Sequence, residues 1–191
     1  MNATMISQFT GEQVSGEAIS AEARIGHVHL RVADLERATR FYRDMLGFKV
    51  KFYGPDVKLP LVLIAAGNYH HDIALNCFQG AGATPPPEGH TGLHHFAILY
   101  PNEVSLARAA ARLRKCGHSI DCGRDHGGSF SLYLRDPDGN GIELYYDRPQ
   151  DKWVDEQGRP VIKSESFDVK QWLDSVWSRP GDFPGQRLRA K

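Results

Sequence analysis

The sequence lacks the features that would tie the protein to nucleic acid, to a membrane or to an oxidising compartment. Its 191 residues carry 23 Lys and Arg against 23 Asp and Glu, so no excess of charge favours nucleic acid or a lipid surface. The three cysteines have no metal or redox spacing and are expected to be reduced thiols in a cytoplasmic protein. The longest apolar run, LPLVLIAA, is too short to cross a bilayer. Small molecules and protein partners remain as ligands.

What the sequence does contain is one structural plan that occurs twice. Residues 25–79 and 93–146 each show the hydrophobic periodicity of a strand, a helix and three further strands. Asp34 is expected to cap the first helix, and Gly47 to end it. The prediction is an α+β fold of two paired βαβββ modules, residues 24–80 and 92–149, whose sheets form a cup.

The segments outside the modules have a different character. The stretch QGAGATPPPEGHTG is rich in glycine and proline, which is typical of a connector. Residues 1–23 have no features of a signal peptide and are predicted to be flexible. Residues 150–191 are predicted to form a tail with one short helix near 167–177.

Strand alternation sorts the side chains of the first strand of each module into two faces. The faces predicted to point into the cup carry His27, His29 and Arg31 in the first module and His95 and Ala97 in the second, whereas Val28, Leu30, Val32, Phe96 and Ile98 face the helices. Superposing the two copies places His27 on His95 and Ala74 on Glu143.

Glu143 raises a question because it stands between Ile142 and Leu144 on an apolar strand. The simplest interpretation is that it points to water, and a single strand histidine is usually an ordinary side chain. A buried carboxylate without a partner would be costly, however, and a divalent metal removes that cost. Two imidazoles and one carboxylate are the ligand set of non-haem Fe(II) sites. The sequence therefore predicts a metal site formed by His27, His95 and Glu143.

A tyrosine is predicted to lie beside this carboxylate. If DPDGN forms the turn of a β-hairpin, Tyr133 lies directly opposite Glu143 and on the same face. The alternative is that the tyrosine serves only as a good strand former.

Three stretches of the chain resemble a known group of proteins. GHVHLRVADLERATRFYRDMLGF, GLHHFAIL and SLYLRDPDGNGIELYYDRP are similar to the vicinal oxygen chelate superfamily. That superfamily includes glyoxalase I, fosfomycin-resistance proteins, bleomycin-binding proteins and extradiol ring-cleaving dioxygenases. The resemblance covers about residues 25–149 and implies paired βαβββ modules with a metal in the cup.

The residues beside the metal favour one branch of the superfamily. Glyoxalase I has a fourth ligand, a glutamate, where this chain has Ala74. The stretch HHDIAL instead resembles extradiol dioxygenases, which implies that His71 is the acid–base histidine, with His70 as the alternative. The same resemblance makes Tyr133 the active-site tyrosine.

One further histidine is a weaker candidate for the pocket. His126 is predicted to lie on the loop that enters the strand of Tyr133, where a surface histidine is an equally good interpretation. Larger extradiol enzymes have a histidine nine residues before the tyrosine, and this chain has Arg124 there.

The resemblance implies an Fe(II)-dependent extradiol dioxygenase, with Mn(II) as the alternative metal. Its substrates would be a catechol-type aromatic diol and O2, and its product a ring-opened semialdehyde. Two rival functions stay open: a metal-dependent isomerase, lyase or thiol transferase, and a non-enzymatic small-molecule binder. The sequence allows a homo-oligomer without determining the number of subunits.

Overall fold

Two mixed sheets, one from each copy of the repeat, organise the part of the chain that the computed structural model describes, residues 19–87 and 89–179. The predicted pairing of two βαβββ modules in an α+β fold is confirmed. The first sheet has the strand order β1-β4-β3-β2. Its strands are β1 (Val28–Arg31), β2 (Lys49–Tyr53), β3 (Leu61–Ala65) and β4 (Ile73–Asn76).

The second sheet repeats this order and adds one strand. It runs β5-β8-β7-β6-β9, and β5 pairs with β8 in parallel as β1 pairs with β4. Its strands are β5 (Phe96–Leu99), β6 (Cys122–Gly127), β7 (Ser129–Arg135), β8 (Gly141–Asp147) and β9 (Ile162–Phe167).

The helix of each module follows its first strand, as the sequence predicts. Helix α1 (Leu35–Arg40) begins where the Asp34 side chain accepts a hydrogen bond from the backbone amide of Arg37, and it continues as a π-helical turn (Phe41–Met45) before Gly47. Gly47 has a φ of 87°, a left-handed conformation that glycine tolerates best. Helix α2 is Glu103–Lys115. None of the described helices is both long enough and apolar enough to cross a membrane.

Each sheet buries one face under its helix, and this leaves the other face for polar side chains. The strand residues on the buried faces are almost inaccessible because they pack against the helices in one core. They include Leu30, Ile64, Leu75, Leu132, Ile142 and Leu144, each at most 5% exposed. The alternation that the sequence predicts therefore holds on the strands that carry the candidate site.

Residues 150–179 are more structured than the sequence predicts, whereas residues 1–18 and 180–191, predicted as parts of a flexible segment and a tail, lie outside the described residues. The segment 150–179 contains helix α3 (Val169–Trp177), close to the expected position, but also strand β9, which pairs antiparallel with β6. Most side chains of IKSESF are polar, so the sequence lacks the apolar–polar alternation that would predict this strand. Phe167 of β9 stacks on Phe130 with ring centroids 4.0 Å apart, and Trp172 of α3 lies 5.4 Å from the same ring.

A buried carboxylate joins the two modules. Asp136, in the turn before β8, accepts a hydrogen bond of 2.9 Å from the hydroxyl of Tyr42 in the first module. It also accepts hydrogen bonds from the Asn140 side chain and from the backbone amides of Asp138 and Asn140. Burial, and then the charge of Asp136, raise the pKa of Tyr42, so its hydroxyl stays protonated and donates.

Replacing Asp136 should therefore destabilise the protein more than removing its tyrosine donor. Asp136→Ala leaves the buried Tyr42 hydroxyl without an acceptor and should cost roughly 3 kcal/mol, whereas Tyr42→Phe leaves the carboxylate its other donors and should cost about 1 kcal/mol. Urea denaturation of both variants measures the difference. Asp121→Ala is the control, because its 4.0 Å ion pair with Arg135 is exposed. Equal losses for all three would contradict the role of Asp136.

Candidate functional site

The parallel pairing of β5 with β8 brings a histidine and a glutamate together. Phe96 is paired with Ile142 and Ala97 with Glu143, so His95 lies just before the point where the two strands pair. The Nε2 atom of His95 is 3.1 Å from Oε2 of Glu143. The other ring nitrogen, Nδ1, is 2.7 Å from Nδ1 of His94. The two contacts hold the His95 ring between His94 and Glu143.

Tyr133 lies opposite Glu143 in the β7–β8 hairpin, and this predicted register is confirmed. The tyrosine hydroxyl donates a hydrogen bond of 2.8 Å to Oε1 of Glu143. The two carboxylate oxygens of Glu143 therefore face different partners. Burial raises the pKa of Tyr133 well above its usual range, and the hydrogen bond to Glu143 raises it further. The hydroxyl is consequently a proton donor at neutral pH.

His126 lies in a strand, so the prediction that it lies on a loop is wrong. It belongs to β6, next to a register shift in the pairing of β6 with β9. Bulges of this kind re-aim side chains at sheet edges. Nε2 of His126 is 2.9 Å from the Tyr133 hydroxyl, and Nδ1 is 2.9 Å from the carbonyl oxygen of Lys163 in β9.

These contacts form a chain of hydrogen bonds from β9 to the carboxylate. A backbone carbonyl can only accept, so Nδ1 of His126 carries a hydrogen. The Tyr133 hydroxyl gives its one hydrogen to Glu143, and its oxygen lies in hydrogen-bond contact with Nε2 of His126. Tyr133 therefore links His126 to the carboxylate.

The first module carries a second group of histidines. The rings of His27 and His71 lie with centroids 4.5 Å apart, and Nδ1 of His71 is 2.5 Å from Nδ1 of His70. His71 is half-buried and precedes β4, whereas His70 is exposed. Burial lowers the pKa of His71, and the neighbouring His27 lowers it further. A neutral His71 ring is able to accept a proton.

Equivalent registers relate the two groups. Val28 is paired with Ile73 in the first sheet as Phe96 is paired with Ile142 in the second, so His27 corresponds to His95 and Ala74 to Glu143. Ala74 is 2% exposed and carries no ligand atom on its side chain.

The two groups do not meet within one chain. No hydrogen bond, ion pair or ring contact among the described residues links the first group (His27, His70 and His71) with the second (His95, Glu143, Tyr133 and His126). Across residues 19–87 and 89–179, no three His, Cys, Asp or Glu side chains lie together as a metal-binding set. The donor types suit Fe(II) or Mn(II), but a single chain supplies them as two half-sites. The predicted ligand set of His27, His95 and Glu143 thus stays a prediction.

A cavity of about 1070 Å³ lies beside the first half-site but not on it. Its walls include His29 and Arg31 of β1, the connector and the turn before β8, but not His27, His95, Tyr133 or Glu143. A smaller cavity of about 260 Å³ adjoins His126 and is lined by Trp153 and Val161, among others.

Gly141 positions the second half-site, although none of the sequence predictions singles it out. A Cβ atom at this position would lie 2.2 Å from the carbonyl oxygen of His94 and 3.1 Å from Cβ of His95. Glycine thus lets β8 approach the segment that carries His95. The second glycine of DGNG, directly after the turn, was the available signal. The Lys163 carbonyl has no sequence signal because any residue provides one.

The family model described as the Glyoxalase/Bleomycin resistance protein/Dioxygenase superfamily matches residues 24–144, which span both half-sites. The chain belongs to this superfamily. It is 38% identical over 161 residues to a protein named catechol-2,3-dioxygenase from Bacillus subtilis (strain 168), covering 83% of this chain and 54% of that protein. The chain thus spans about half the length of this relative.

Two further members of the superfamily illustrate its breadth. A manganese-dependent 2,3-dihydroxybiphenyl 1,2-dioxygenase from Geobacillus genomosp. 3 is 32% identical over 86% of this chain and 51% of that protein. The crystal structure of a lactoylglutathione lyase from Agrobacterium tumefaciens matches with a TM-score of 0.51 and 25% identity, covering 67% of this chain and 96% of that one. Relatives of one fold therefore bear the names of different reactions.

The repeat predicts that His27 rather than His29 is a metal ligand, and iron content tests this prediction. His27→Ala should lose most of the bound iron, because His27 occupies the position equivalent to His95. His29→Ala is the matched control: it should keep the iron, since His29 is paired with Ala74 and its ring lies 6.4 Å from that of Phe78. Iron in both purified variants is measured after anaerobic loading. The reverse pattern would show that the ligand register is shifted by two residues.

Proposed function

We propose that the protein is a metal-dependent extradiol dioxygenase that cleaves the ring of a catechol-type aromatic diol with O2. The contact between Tyr133, Glu143 and His95 carries the proposal, because it places a proton donor beside two candidate ligands. The name of the Bacillus subtilis relative supports the same reaction. We propose Fe(II) as the metal, with Mn(II) as the alternative that the name of the Geobacillus relative supports.

In this proposal His27, His95 and Glu143 hold the metal. When bound, the metal would supply the redox link between the diol and dioxygen. Three protein ligands would leave the metal accessible to the diol and to dioxygen. Ala74 contributes to this access, because a carboxylate at that position would be a fourth protein ligand. The rival metal-dependent lyase or isomerase is expected to use such a fourth ligand.

The protein's other contribution is proton transfer and orientation. His71 is neutral because its pKa is lowered, and its Nδ1 already faces His70. Its Nε2 has no hydrogen-bond partner among the described residues and is the atom that would take a proton from the diol. The Tyr133 hydroxyl, held protonated, would donate to a substrate oxygen, with His126 holding it from behind. Each such transfer is worth roughly a factor of 10²–10⁴ in rate.

Oxygen uptake tests the reaction class. Protein loaded anaerobically with Fe(II) or Mn(II) should consume oxygen when catechol is added and should form a yellow ring-fission product. Zn(II)-loaded protein is the control and should not, since zinc has no redox chemistry. If the zinc form converts a substrate without oxygen and the iron form consumes none, the protein belongs with the isomerases and lyases of the superfamily.

Removing the Tyr133 hydroxyl should reduce turnover without removing the metal. Tyr133→Phe should lower kcat by roughly 10²-fold or more, because the proton donor is lost while the strand is unchanged. Tyr146→Phe is the matched control: its ring packs near Phe130 on the opposite face of β8. Metal content and kcat are measured on both. Equal kcat values for Tyr133→Phe and the wild type would show that this hydroxyl takes no part in the reaction.

A further inference from the structure

An arginine shares the sheet face that carries the second half-site. In the pairing of β6 with β7, Cys122 lies directly opposite Tyr133, and Arg124 lies opposite Ser131. Tyr133 in turn lies opposite Glu143 in β8. Side chains that are paired directly across a sheet point to the same face, and so do side chains two residues apart on one strand. Arg124 therefore points to the same face as Tyr133 and Glu143.

The spacing of the strands places this arginine within reach of a ligand at the half-site. Strand β7 separates β6 from β8, and Cys122, Tyr133 and Glu143 form one row across the three strands. Arg124 lies two residues along β6 from this row. Neighbouring strands are about 4.8 Å apart and rise about 3.3 Å per residue, so the backbones of Arg124 and Glu143 are about 12 Å apart. A long arginine side chain and a substituted aromatic ring can together span this gap.

The guanidinium of Arg124 has donors to spare and no counter-ion. The residue is half-buried, and its Nη1 donates a hydrogen bond of 2.6 Å to the Ser166 hydroxyl of β9. Across residues 19–87 and 89–179, no carboxylate forms an ion pair with it. A guanidinium carries several N–H donors in a planar fork that matches a carboxylate. A half-buried cation in this state suits an anionic ligand.

The carboxylates nearest to Arg124 along its own strand and on its own face have other partners. Asp125 follows it in the chain but points to the opposite face, where it forms ion pairs with Arg148 at 2.6 Å and with Lys163 at 3.6 Å. Glu143 lies two strands away and uses both of its oxygens in contacts within the half-site. Neither carboxylate neutralises Arg124.

A second arginine on the same face differs from Arg124 in both respects. Arg135 lies two residues after Tyr133 on β7, and its side chain is 68% exposed. It donates to the Gly139 carbonyl oxygen and lies 4.0 Å from the Asp121 carboxylate. Arg135 thus has a carboxylate partner and is solvated, so it provides a natural comparison for Arg124.

Open space adjoins Arg124 on both sides along β6. A cavity of about 690 Å³ is lined by Cys122 and Ser166, among others. The cavity of about 260 Å³ on the other side is lined by His126. Atoms of a ligand therefore have room beside the guanidinium.

We propose that Arg124 binds a carboxylate of the substrate, so that the preferred diol is an aromatic acid with two adjacent hydroxyl groups. The diol end would lie at Glu143 and Tyr133, and the acidic side group would reach Arg124 and accept two parallel hydrogen bonds from its fork. Arg124 selects the substrate and takes no part in breaking the ring. The diol end rests on the proposed function, whereas the carboxylate contact depends on Arg124 itself.

An acid and its methyl ester test the contact. The probes are 3-(3,4-dihydroxyphenyl)propanoate, its 2,3-dihydroxy isomer and the methyl ester of each, because the charge of the acid is insulated from the diol by the saturated side chain. Binding is measured by calorimetry on Zn(II)-loaded protein under argon, so no turnover is needed. The wild type should bind at least one of the acids roughly 10-fold to 100-fold more tightly than its ester.

Replacing the arginine should remove this preference. In Arg124→Gln the ratio of acid to ester affinity should fall to about one, since glutamine keeps a donor for Ser166 but has neither the charge nor the fork. Arg135→Gln is the matched control and should keep the wild-type ratio. With Fe(II)-loaded protein and oxygen, Arg124→Gln should raise KM for the acid far more than it lowers kcat, because the carboxylate is remote from the reacting atoms. Circular dichroism checks that both variants are folded.

Two results would overturn the proposal: a wild type that binds neither acid more tightly than its ester, or a preference that survives in Arg124→Gln. Ring cleavage that shows no preference for the acids would retain the dioxygenase function and reject only the role of Arg124. Binding of an acid that depends on Arg124, without oxygen uptake by the iron form, would retain the carboxylate site and reject only the dioxygenase function.

Discussion

The parallel pairing of an outer strand with its neighbour is the constraint on which the candidate site depends. In the second sheet it places Ala97 next to Glu143 and leaves His95 one residue before the first pair. In the first sheet the same register places His29 next to Ala74 and leaves His27 in the equivalent position. Because side chains alternate, a shift by one residue would turn every one of these groups into the helix layer. The apolar face of each strand, buried under its helix, prevents that shift.

The antiparallel β7–β8 hairpin places Tyr133 opposite Glu143. Its turn residues Asp136 to Asn140 are held by the Asp136 carboxylate, which also fixes the first module through Tyr42. The pairing of Tyr133 with Glu143 depends on this turn, since the register of a hairpin follows from its loop. One carboxylate thus contributes to stability, to the orientation of the modules and to the position of the proton donor.

Sequence periodicity predicts the features that depend on local pattern. The repeat, the buried faces and the position of Tyr133 opposite Glu143 follow from alternation and from a recognisable turn. The sequence does not predict strand β9, because most of its side chains are polar. The strand is stabilised by a tertiary contact, the stacking of Phe167 on Phe130. The sequence predicts a loop at His126 because neither β9 nor the bulge beside it can be recognised locally. The separation of the half-sites could not be predicted from the sequence for a different reason. A repeat indicates which residues are equivalent, but it does not indicate which modules face each other.

The two half-sites differ in their electrostatics. Glu143 is surrounded by a neutral phenol, an imidazole and, beyond the phenol, His126. Tyr133 and His95 make the direct contacts with its two carboxylate oxygens. In the first half-site, burial lowers the pKa of His71, and the neighbouring imidazoles lower it further. In the proposed function a divalent cation would balance the Glu143 carboxylate and bind imidazole nitrogens, so metal binding would stabilise the folded chain.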